Sequence, residues 1–229
     1  MTDKGKIITI YASAALISAL IFAVAFWIKG NQIKPEVKPY YSSDSELQPL
    51  LTLEKDITLT NQAGEKVKIS ELKGKVWAFA QFYAACPMCA KNNEQGMKSL
   101  YNKFKNNPDF QMVCITVDPE KDGVEELKSY AEALGADTSS WWFLTGEPDE
   151  LRAYMVDEMK YDPIQVRKDP SEAAEKGAIA HNMSIAVFDR ELSLIGRRDL
   201  FHAKIDGEAV YVETEKALHQ MVEAVLEKK

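Results

Sequence analysis

The chain has 229 residues, 46% hydrophobic and 28% charged, which suits one globular domain plus an additional segment. A formal net charge of −7 argues against a nucleic-acid partner, because such surfaces are basic. Three cysteines are too few for a disulfide-stapled scaffold, and none shows the paired spacing of a zinc ribbon.

Residues 7–28 carry no charge. At about 1.5 Å per residue such a helix spans a hydrocarbon core of roughly 30 Å. Lys4 and Lys6 precede the run, and Trp27 and Lys29 close it at an interface. Ala23-Val24-Ala25 resembles a cleavage site, but the apolar run continues through Phe26, Trp27 and Ile28, so an uncleaved anchor is expected. A short basic tail before a first span stays in the cytoplasm, and long domains translocate despite their charge. The expectation is a single-pass protein of the inner (cytoplasmic) membrane, with its C-terminal domain on the periplasmic side. Residues 1–29 are then the anchor, 30–50 a linker rich in Pro and small polar residues, and 51–229 the domain.

Within the domain, residues 56–60 and 66–69 flank Asn61-Gln62-Ala63-Gly64 and read as a hairpin. Residues 75–83 are nearly all apolar, as in a strand buried on both faces. A helix is expected next, to about Lys105, on the apolar positions Met88, Met97, Leu100, Tyr101 and Phe104. Pro87 fits its first turn, where a missing N–H costs nothing. Cys86 and Cys89 are three apart and share a face at that helix start, where the dipole and unpaired N–H groups favour a thiolate. Such a pair either exchanges electrons or holds a soft metal.

Residues 111–117 form a second buried strand, 123–134 an amphipathic helix stopped by Gly135, 141–144 a short strand and 150–155 a short helix. Residues 161–177 read as a polar excursion, 183–189 and 192–197 as an antiparallel hairpin, and 214–226 as a closing helix. Strand, cysteine helix, strand, helix, hairpin and helix make a thioredoxin-like α/β layout, with chemistry at the first strand-to-helix turn. Cys114 reads as core, Trp141 and Trp142 as packing, and Met88 and Met183 as packing rather than ligands. His202, in a polar loop, and His219 read as solvated, as do the charge runs at 120–122 and 125–126. Asp118 suits either a turn cap or an outer support of the site.

Four stretches carry a family resemblance. Phe82-Tyr83-Ala84-Ala85-Cys86-Pro87-Met88-Cys89 resembles the cysteine motif of the Sco/SenC family, copper-binding proteins of cytochrome oxidase assembly. Residues 113–122 with 127–131, then 142–146, then 180–189 around His181, resemble that family's later segments in order, so that the match runs from about 56 to 226. The resemblance implies copper, as Cu(I) or Cu(II), on Cys86, Cys89 and His181. It implies a copper-site subunit of a respiratory oxidase as partner, and a role as metallochaperone or as reductant of that subunit's cysteines. The family usually places three residues between its cysteines, whereas here Pro87 and Met88 alone intervene, the spacing of a thioredoxin redox pair. A metal-free, membrane-tethered thiol–disulfide oxidoreductase using Cys86 and Cys89 is therefore the alternative.

Overall fold

Two apolar runs of seven residues lie side by side in parallel at the centre of the domain, Val76 opposite Phe110 through Phe82 opposite Thr116. Parallel neighbours cannot be joined by a tight turn, so a helical crossover connects them. In this computed structural model the described residues are 11, 13, 15–24, 27, 47–86 and 94–228. Residues 30–46 of the expected linker over 30–50, and the expected helix start over 87–93 with Pro87, Met88 and Cys89, lie outside them.

The chain divides into two units, Met1–Lys38 and Pro39–Lys229. In the first, residues 15–24 are helical and Leu16, Leu20 and Phe22 are exposed. Among the described residues no helix is long and apolar enough to cross a membrane.

In the second unit the strands are β1 (Leu51–Thr52), β2 (Thr58–Asn61), β3 (Lys66–Lys68), β4 (Val76–Phe82), β5 (Phe110–Thr116), β6 (Trp141–Thr145), β7 (Gln165–Val166), β8 (Ile179–Ala180), β9 (Ile185–Phe188) and β10 (Ser193–Arg198). The helices are α1 (Glu94–Phe104), α2 (Val124–Leu134), α3 (Pro148–Asp157), α4 (Pro170–Lys176), α5 (Leu200–Asp206) and α6 (Glu208–Glu227). Eight strands form one sheet in the order β1-β10-β9-β4-β5-β6-β2-β3, and β7 pairs with β8 apart from it. β4, β5 and β6 run parallel, while β9 joins β4 and β2 joins β6 in antiparallel sense. This is the mixed α/β, thioredoxin-like arrangement the element order implied.

Both faces of the sheet are covered, which is why β4 and β5 are mostly apolar and buried at every position. Val76, Ala78, Ala80 and Phe82 pack with Met97 and Leu100 of α1 and with Leu218, Met221 and Val222 of α6. Trp77 and Phe79, one register step away, pack with Leu151 and Met155 of α3 on the other face. Leu47 is also core, at 3% exposure, and the Leu50 N–H donates to the Leu194 carbonyl, so the chain enters the domain along the β10 edge.

Two stretches depart from expectation. The span 161–177 is not merely polar: it begins with buried Tyr161 and holds β7 and α4 before β8 closes it. The presumed loop around His202 is α5, whose N-cap Asp199 accepts from the His202 N–H at 2.9 Å, with Leu200 and Ala203 buried. Seven residues, of which only Leu200 and Ala203 are buried, are too short a stretch to announce a helix by periodicity. The closing helix also starts earlier, at Glu208.

Candidate functional site

β4 delivers its last residues to the carboxyl edge of the sheet, where the backbone must turn. There the Cys86 N–H donates to the Tyr83 carbonyl at 3.1 Å, closing a turn over 83–86. Cys86 is 5% exposed and its side chain lines a cleft of about 370 Å³. His181, on the segment between β8 and β9, lines the same cleft, and so does Met183. The two predicted donors, 95 positions apart in sequence, thus meet at one cavity. Cys89, the third, lies outside the described residues. Among those residues no cluster of three or more His, Cys, Asp or Glu side chains is tight enough to hold a metal.

Buried polar groups fix the histidine segment. The Asn182 N–H donates to Oε1 of Gln81, which is 2% exposed near the end of β4. The Asn182 side chain in turn accepts from the Ser184 N–H at 2.9 Å. Tyr83 stands between the two halves of the site: its ring meets the His181 imidazole edge-on at 5.8 Å, and its hydroxyl accepts from the Ile179 N–H at 3.5 Å. His181 Nδ1 lies 2.9 Å from the Asn182 carbonyl, which requires the proton on Nδ1 and puts the imidazole lone pair on Nε2.

The cleft walls come from the two stretches the sequence described least well. Arg167, Lys176 and Ile179 line it from the β7–β8 excursion, fastened by Arg167 Nη1 donating to the Gly177 carbonyl at 2.8 Å. Phe201, His202 and Ile205 line it from α5. His202 is therefore a cleft residue, its Nδ1 2.6 Å from the Asp199 carboxylate. His202 keeps the solvent exposure expected of it, whereas His219 is half-buried: its Nε2 is buried without a hydrogen-bond partner, and its ring meets Phe104 edge-on at 6.1 Å.

Beneath the cysteine turn lies a carboxylate that had been read as part of a solvated charge run. Asp122 is 2% exposed and its Oδ2 accepts from the Ala84 N–H at 3.0 Å and the Thr116 hydroxyl at 2.5 Å. Burial pushes its carboxyl above the ordinary range; these two donors oppose that shift, and the nearby Asp118 and Glu126 charges add to it. Asp118 serves the local turn, accepting from Lys121 Nζ at 2.9 Å. An Asp followed by Gly123 within Asp-Pro-Glu-Lys-Asp gave no periodic signal of burial. Gln81 did leave one, as the polar residue in an otherwise apolar strand. Cys114 is core: burial pushes its thiol up to about 12, partly offset by the Trp141 indole N–H at 3.3 Å.

The sequence model of the SCO1/SenC family matches residues 46–218. A SCO1 protein homolog of Bacillus subtilis is 30% identical over 132 residues, 57% of this chain and 62% of that protein. The match thus spans less than two thirds of the relative's length. Among solved structures, BsSco, described as a member of the Sco family of cytochrome c oxidase assembly proteins with a disulfide switch, superposes with a TM-score of 0.59 at 23% identity, over 80% of this chain and 98% of its own. Bradyrhizobium japonicum ScoI with copper bound superposes at 0.55 and 22% identity, over 76% and 99%. At these identities the structural likeness is one of fold.

Proposed function

The chain belongs to the SCO1/SenC family, and from that premise we propose that it carries copper for assembly of the copper site of a respiratory cytochrome oxidase. The observation that carries this reading is the convergence of Cys86 and His181 on one cleft. Cys86 and Cys89, as thiolates, and His181, through Nε2, would hold the ion. Thiolates suit Cu(I), and imidazole suits copper in either state. The copper is cargo, and a site of only three ligands keeps it transferable. Residues 7–28 would anchor the chain in the inner (cytoplasmic) membrane, with the domain on the periplasmic side facing the oxidase subunit.

The spacing of the cysteines favours a second reading, in which the same pair reduces a target disulfide. The Cys86 thiolate attacks one sulfur of that disulfide and displaces a target thiolate. Cys89 then attacks the Cys86 sulfur and releases the second. The target gains two electrons, and Cys86 and Cys89 lose them as their own disulfide.

Cu(I) titrated without oxygen into the reduced full-length chain in detergent micelles, against a competing chelator, separates the two readings. One copper per chain is expected. His181→Ala should weaken it by more than about tenfold, since losing even an outer partner of a metal ligand costs that much. Binding indifferent to His181 overturns the three-ligand reading. No tight binding, together with reduction of a disulfide-bonded dicysteine peptide, establishes the second.

A further inference from the structure

Neither the copper reading nor the thiol reading uses Asp122, yet its carboxylate joins the cysteine turn to the end of β5. It ends the turn that follows β5, its own N–H donating to the Asp118 carbonyl at 2.9 Å. One oxygen accepts from Ala84, two residues before Cys86, and from Thr116, the last residue of β5. Thr116 is paired across the sheet with Phe82, the last residue of β4. The Val117 N–H donates to the Phe82 carbonyl at 2.8 Å, so the strand ends are already joined by backbone. What the carboxylate adds is a hold on the turn beyond them. The N–H of Ala84 points inward to Asp122 while the N–H of Cys86 closes on Tyr83. A buried carboxylate is costly unless its hydrogen bonds are good, and here both inward donors meet one oxygen.

We propose that Asp122 is a positioning residue for Cys86: it fixes the 83–86 turn from beneath and so sets the equilibrium between the dithiol and disulfide states of Cys86 and Cys89. The proposal rests on Cys86 being the reacting sulfur, as in both functional readings. It predicts that geometry, not the nearby negative charge, governs the effect. Asp122→Asn keeps the shape and an acceptor oxygen but removes the charge. Asp122→Ala removes both, and Thr116→Val removes one donor while leaving the Ala84 contact.

The readout is the equilibrium of the full-length chain in detergent with glutathione redox buffers, measured without copper. Asp122→Ala should shift the exchange constant by about tenfold or more, which is about 30 mV for a two-electron couple. Asp122→Asn should restore it to within about threefold of the parent, and Thr116→Val should fall between, in the direction of Asp122→Ala. An unchanged constant in a folded Asp122→Ala chain overturns the proposal. So does an equal shift in Asp122→Ala and Asp122→Asn, which would assign the effect to charge. Should Asp122→Ala fail to fold, the comparison rests on Thr116→Val against Asp122→Asn, and a constant unmoved in the former overturns it. The copper titration, run separately on the parent chain, reports on the functional reading alone.

Discussion

Single polar side chains inside the apolar sheet decide where the site's donors stand. Gln81 occupies a strand position where its neighbours Ala80 and Phe82 are wholly buried, and it holds the Asn182 N–H beside His181. Its own amide donates to Met155 Sδ at 3.1 Å, so both ends of the group are used. Replacing it with leucine keeps the volume but strips the acceptor from Asn182. Gln81→Leu should therefore lose about 1–3 kcal/mol in urea unfolding, the cost of an unmet inward donor. A cost below about 0.5 kcal/mol, within the range of ordinary surface changes, would mean that Asn182 finds another acceptor. Cys114 shows the opposite case, a thiol whose buried position and high pKa keep it from competing with Cys86.

At the scale of elements, α5 is the piece on which one cleft wall depends. It packs so closely on α1 that a Cβ on Gly96 would strike the tip of the Leu200 side chain, which would have to shift. α6 follows directly and covers the same sheet face, carrying His219 against Phe104 of α1. Burial first, then the Lys103 ammonium on α1, lowers the His219 pKa below 6.5, while Glu215 and Glu223 on α6 pull it back. Between the lowered value and 6.5 the unfolded chain binds more protons than the folded one, so stability rises with pH across that window and is lost as pH falls through it. His219→Gln should flatten this slope. Urea midpoints measured at about pH 5 and about pH 7 for both chains test it, and an unchanged slope would assign the dependence to other groups.

For the whole molecule, the proposed task needs two units with different solvents. The domain from Pro39 onward carries the sheet and the cleft, and residues 7–28 carry the uncharged run. If that run is an anchor, the full-length chain should stay with bacterial membranes through alkaline extraction, while a chain beginning at Pro39 should be released. Release of the full-length chain by the same wash would remove the anchor from the reading and leave the cleft chemistry untouched.

The sequence alone determined the α/β layout, the buried central strands and the cysteine pair, because these depend on local periodicity and on motifs of fixed spacing, while His181 became a candidate through the family resemblance of residues 180–189. The core role of Cys114 was legible for the same reason: it sits in an unbroken apolar run. Only the tertiary structure decided that Asp122 turns inward to the cysteine turn, that Gln81 and Tyr83 hold the His181 segment, and that α5 with His202 walls the cleft. Each of these depends on pairings between segments distant in the chain, such as Ala84 with Asp122 and Gln81 with Asn182. A charged or polar side chain looks the same in sequence whether it meets water or a buried N–H, and the fold alone supplies that partner.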